Sequence, residues 1–126
     1  MAKLIVLGRL GGLNDYIAAE RTNKHLAAKM KREDMETVMW AAKSSLRGWR
    51  PKTPVIMHYS WYERDRRRDM DNVSSYGRKI IQDALVKGGF LRNDGWAHIK
   101  GFTDEFYVDS KRPRIEVTFE EAIDDA

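Results

Sequence analysis

Cysteine is absent from this chain, and its 126 residues include only three prolines and three histidines. Without a thiol there is no disulfide framework, no disulfide-linked partner, no thiolate zinc site and no cysteine nucleophile. Any bound metal has to be held by oxygen or imidazole. Long apolar runs are missing too. Leu4-Ile5-Val6-Leu7 is too short for a signal-peptide core, and no segment approaches the length that spans a bilayer. These absences lead us to expect a soluble protein of a reducing cytoplasm, with no membrane partner. What is present is charge: 33% of residues are Asp, Glu, Lys or Arg, with a formal net charge of +4. Such a balance points to an acidic partner without identifying one. The length predicts one domain over residues 1–126 with a modest core.

Periodicity orders the chain. The aliphatic run from Lys3 to Leu7 reads as a strand stopped by Gly8 and the Gly11-Gly12 pair. Asn14 or Asp15 can cap a helix that runs to about Ser44, with no glycine or proline inside and with Met35, Val38, Met39 and Ala42 at helical spacing. The first half of that helix is basic through Arg21, Lys24, Lys29, Lys31 and Arg32, either a solvated face or a binding surface. Val55 to Tyr62 alternates as a strand with both faces partly buried. A second helix is predicted from near Asn72, capped by Asp71 or Asn72, to Gly88-Gly89. Trp96 to Tyr107 and Arg114 to Phe119 look like two further strands, with the acidic stretch from Glu120 to Ala126 fraying. The expected fold is an α+β domain, β-α-β-α-β-β, with two helices on a mixed sheet.

The segment Arg66-Arg67-Arg68-Asp69-Met70-Asp71-Asn72 carries the chemistry. Carboxylates are what a hard divalent cation takes, and arginines are what a nucleic-acid backbone takes, and the two needs meet in a metal-dependent nuclease. Asp69 and Asp71 on an extended segment would point to one side and could share a metal. They could equally be a helix cap and a surface partner of the arginines. Lys79 lies four residues before Asp83, either as an i,i+4 ion pair or as the cation that steadies charge on a phosphate under attack. Asp83 reads as an orienting partner of Lys79. Asp94, in Asn93-Asp94-Gly95, is either a turn residue or a further ligand. His25, His58 and His98 read as structural.

Together, Arg-Arg-Arg-Asp-x-Asp-Asn, the helix with Lys79 and Asp83-Ala84-Leu85-Val86-Lys87-Gly88-Gly89-Phe90, and Asn93-Asp94-Gly95 resemble the RusA family of Holliday-junction resolvases of bacteriophages and prophages. The resemblance covers Arg66 to Gly95. It implies that Asp69, Asp71 and Asp94 hold Mg²⁺, with Mn²⁺ a substitute, that Lys79 is the catalytic lysine, and that the reaction is hydrolysis of phosphodiesters in four-way junctions. Arg66, Arg67 and Arg68 would hold flanking phosphates, with Arg9, Lys24 and Lys29 extending the DNA surface. One departure stands out: the stretch between Asp71 and Lys79 is longer here than in the best-known members, by about four residues or one helical turn. Paired cuts in a two-fold junction imply a homodimer, for which Trp61, Trp96, Phe102 and Phe106 are candidate interface residues. Two alternatives stay open: a basic DNA-binding phage accessory protein that does not cut, and a nuclease for other branched DNA.

Overall fold

A computed structural model describes residues 1–122. Its elements run β1 (Ala2–Leu7), α1 (Leu13–Thr22), α2 (Lys24–Leu46), β2 (Val55–Glu63), α3 (Met70–Lys87), β3 (Ile99–Val108) and β4 (Arg114–Glu121). The four strands form one mixed sheet in the order β1-β4-β2-β3. β4 is antiparallel to β1 and to β2, whereas β2 and β3 are parallel neighbours joined through α3. The α+β class is as the sequence implies.

Alternation decides which face of the sheet is buried. Leu4 and Val6, Val55, Met57, Tyr59 and Trp61, and Ile115, Val117 and Phe119 point one way and pack with Val38, Ala42, Ile80, Ile81 and Leu85 of the helices. The opposite face carries Lys3, His58, Thr103, Arg114 and Glu116, which pair with one another. All helices among the described residues therefore lie on one side. The β1 edge is shielded where Ser45 Oγ of α2 accepts from the Ile5 amide at 3.2 Å.

Three expectations need correction. The single long helix is two, because Asn23 adopts extended backbone (φ −166°, ψ 122°) and its side chain accepts from the His25 amide as the cap of α2. The described residues thus hold three helices, not two. The strand expected from Trp96 begins only at Ile99, since the amides of His98 and Ile99 both donate to the Gly95 carbonyl and hold Trp96 to His98 in a turn. Glu120 and Glu121 do not fray: they belong to β4, opposite Ile56 and Val55, whereas residues 123–126 lie outside the described residues.

Helix α3 sits closest to the sheet at Gly77. A Cβ there would stand 2.8 Å from the ring of Trp61, which is itself 1% exposed. Alongside, Asp104 of β3 accepts from Trp61 Nε1 (2.8 Å) and from Arg78 (2.6 Å), while the Arg78 guanidinium lies 4.3 Å over Phe102. These contacts fix α3 in both translation and rotation.

Candidate functional site

Two parallel strands and their connecting helix bring three chain segments to one rim. β2 ends at Glu63, β3 ends at Val108, and the chain leaving β2 turns directly into the N-terminus of α3. A cleft of about 580 Å³ opens there, lined by Glu63, Arg66, Asp69, Met70, Phe106 and Val108 among others. Carboxyl ends of parallel strands beside a helix N-terminus are where open sheets place ligand sites.

The cap of α3 is Asp69, not Asp71 or Asn72. Its backbone is extended (φ −64°, ψ 152°), and its carboxylate makes no capping hydrogen bond. Asp71 falls inside the first turn, where the positive end of the helix dipole favours a negative charge. The pair therefore straddles a helix start and does not lie on an extended segment, so the shared direction expected from i,i+2 spacing does not hold. Both aspartates are exposed.

Asn72 turns out to be structural. Its side-chain oxygen accepts from the Asn14 amide at 2.8 Å, joining the start of α1 to the start of α3. Asp34 of α2 adds a second tie by accepting from the Gly11 amide and from the Tyr76 hydroxyl. That hydrogen bond and burial both hold the Tyr76 phenol well above the ordinary tyrosine range, burial being the larger cause. The glycine loop bearing exposed Arg9 is thus stapled beside the front of α3.

The three arginines divide. Arg68 is a strut: Nε and Nη2 donate to the two carboxylate oxygens of Glu63 at 3.0 and 3.1 Å, and Nη1 donates to the Leu10 carbonyl. Its side chain is 13% exposed and that of Glu63 is 12%. This guanidinium is thus held by partners within the fold, while its side chain also lines the cleft. Arg67 is 85% exposed and stands 3.8 Å from Asp65, and Arg66 lines the cleft. Lys24 opens α2, and Lys29 faces Glu33 at 3.9 Å with both largely in water.

Further along α3, Lys79 Nζ stands 3.0 Å from Asp83 and 3.5 Å from Asp94. Asp83 is the orienting partner the spacing implied, and it is also met by Lys31 of α2 at 3.4 Å. The hydrogen bond to Asp83, and secondarily the charge of Asp94, raises the Lys79 pKa above the usual lysine value. These partners favour its charged form. Asn93 Oδ1 accepts from the Gly95 amide and shapes the turn that presents Asp94.

Lys79 and Asp94 are therefore brought together. Asp69 and Asp71 are not gathered with them: eight residues, a rise of about 12 Å along the helix, separate Asp71 from Lys79. Among the described residues no three carboxylate or imidazole side chains stand as a metal-binding group. The donors are hard oxygens of the kind Mg²⁺ takes, but as arranged they do not form a three-carboxylate centre.

No protein-family model and no curated protein matches the chain.

Among the candidate interface aromatics, Trp61 is core and Phe106 packs against it, whereas Phe102 is half-exposed and Trp96 is 95% exposed. His58 bonds Thr103 and Glu120 on the open sheet face. No helix among the described residues is long and apolar enough to cross a membrane. Sequence reasoning missed Glu63, although its in-phase place after Val55, Met57, Tyr59 and Trp61 was a signal, because a carboxylate on a buried row requires a partner. It also missed Asp34 and Asp104, for which no local pattern gives a sign.

Proposed function

We propose that this protein is an endonuclease for branched DNA of the RusA kind, acting as a homodimer on four-way junctions. The observation that carries the reading is the 3.5 Å contact between Lys79 and Asp94. It joins Asp94 to Lys79, two residues that the sequence resemblance assigns to one active site, and Lys79 lies on the helix whose exposed start carries Asp71, with Asp69 as its cap. Lys79, held charged by Asp83, would steady negative charge on a phosphate. Arg66 and Arg67, exposed beside the cleft, would contact flanking phosphates without reading sequence. Arg68 would act only by holding the loop between β2 and α3.

Metal dependence enters the proposal through a rearrangement. With Asp94 on Lys79, the carboxylates as arranged do not fit a cation. Mg²⁺ binding requires Asp94 to exchange its lysine contact for a position nearer the start of α3.

A second reading, a DNA-binding protein that does not cut, is favoured by the same pairing: Lys79, Lys31, Asp83 and Asp94 form a self-neutralised string that is complete as a structural element. A cleavage assay on synthetic four-way junctions, flaps and linear duplex in Mg²⁺ separates the two. The endonuclease reading expects cutting by the parent, with Asp71→Asn binding the junction but cutting at least 100-fold more slowly, on the order of the cost of losing one group that acts only in the transition state. Binding without cutting by the parent would establish the accessory role.

A further inference from the structure

The other end of the parallel pair holds a second cleft, of about 660 Å³, which the functional reading above does not use. Its walls are the approach to β2 (Arg50 to Pro54), the turn after α3 (Gly89 to Arg92) and the approach to β3 (Ala97, His98). We propose that it is a binding site for the phosphates of a nucleic-acid strand.

Charge is the first argument. Arg50, Lys52 and Arg92 line the cleft together with His98, and among the described residues no carboxylate lines it. Several cations on the sheet and on α3 are neutralised: Lys3, Lys31, Arg68, Lys79, Arg78 and Arg114 all have carboxylate partners. Among the described residues Arg50, Lys52 and Arg92 form no ion pair. Among the described residues, Glu121 stands beside this wall, where its carboxylate accepts from the Lys52 amide at 2.6 Å and so faces the backbone of that loop. Three cations gathered around a concavity repel one another, and an anion is what relieves that.

Preorganisation is the second. Pro51 and Pro54 restrict the first wall, and the Arg50 guanidinium is seated 4.2 Å over the Phe90 ring while Nη1 donates to the Trp49 carbonyl. The second wall turns at Gly89 (φ +79°), a conformation that glycine adopts freely. The end of a helix normally opposes an anion, but here the amides of Gly88, Gly89, Phe90 and Leu91 cap the carbonyls of Ala84, Leu85 and Val86.

Extent decides between a strand and a single phosphate. The cations come from separate loops around an apolar floor of Phe90 and Leu91, a spread that suits successive phosphates with sugar between them. Arg92 also lies two residues from Asp94, so a strand in this cleft runs on toward Lys79. The inference rests on the DNA-binding part of the proposed function and not on its chemistry.

The test uses the full chain without divalent metal and compares Lys52→Glu/Arg92→Glu with a charge-matched pair at exposed positions outside the cleft, Lys43→Glu/Lys111→Glu. Both exchanged cleft residues are exposed, so the fold should survive, which the amide spectrum checks directly. Affinity for a four-way junction and for single-stranded DNA is read across salt concentration, and amide shifts are followed on adding DNA or inorganic pyrophosphate. The expected result is that the cleft pair weakens DNA binding tenfold or more beyond the control pair and lowers the salt slope by about 2. DNA should shift the amides of Gly89, Arg92 and His98. Equal behaviour of the two pairs, or no DNA-induced shift in the cleft, would overturn the inference even if the parent cuts junctions. Shifts with pyrophosphate but not DNA would reassign the site to a small phosphate and overturn the strand. A cleft pair that loses DNA binding in a protein that never cuts leaves this inference standing and removes the nuclease reading.

Discussion

Arg68 shows how a residue's neighbours override its type. Three adjacent arginines look equivalent in sequence, yet only Arg68 has a carboxylate waiting at the inward end of β2. Removing one member of a pair this well enclosed leaves the other charge uncompensated, a cost of about 3–5 kcal/mol. Arg68→Met should therefore lower stability by roughly 3 kcal/mol in urea unfolding, whereas Arg67→Ala should change it by less than about 0.5 kcal/mol and act on DNA affinity instead. On the open face, the hydrogen bond from Lys3, followed by that from Arg114, holds the Glu116 carboxyl below its ordinary range. A depressed carboxyl stabilises the fold above its unfolded pKa, and the contribution fades as pH falls through the folded value. Thermal unfolding between pH 7 and pH 3 should show a steeper acid loss in the parent than in Glu116→Gln.

At the scale of elements, α3 is the organising piece, and much of it was legible. Ile80, Ile81, Ala84 and Leu85 gave its buried stripe, and Gly88-Gly89 gave its end. Its start was misplaced by two or three residues because Asp69, Asp71 and Asn72 are all good caps, and tertiary ties choose among them. The break at Asn23 was hidden for a related reason. No glycine or proline marks it, and the helical spacing beyond it belongs to α2 alone. Asn23→Ala should cost about 1 kcal/mol by removing the α2 cap. Strand β1 followed from its aliphatic run ended by Gly8, β2 from alternation and β4 from the segment after Pro113, whereas Trp96 to His98 have strand-like side chains but are drawn into a turn on the Gly95 carbonyl. Gly77 is the tight point of α3. Gly77→Ala gains up to about 1 kcal/mol of helix propensity yet drives a methyl into the Trp61 ring, an overpacking cost of about 1–3 kcal/mol. A net loss of stability is expected in denaturant titration, and a gain would show that the contact yields.

Over the whole molecule, the parallel pair β2–β3 carries a cleft at each end. One carries Asp69, Asp71 and Arg66 at the start of α3, the other carries Arg50, Lys52 and Arg92 beyond its end, and Lys79 with Asp94 lies between. The sequence could name the acids but not their separation, because the eight residues from Asp71 to Lys79 become a distance along α3 that no motif expresses. The proposal is that Asp69, Asp71 and Asp94, which form no cation centre as arranged, come together on one cation when Asp94 leaves Lys79. Amide resonances followed during a Mn²⁺ titration test it most directly. The account predicts that residues around Asp69, Asp71 and Asp94 broaden together with one apparent Kd, and that Asp94→Asn weakens the effect at the start of α3. Broadening at Asp94 alone, or none at Asp69 and Asp71, would contradict it.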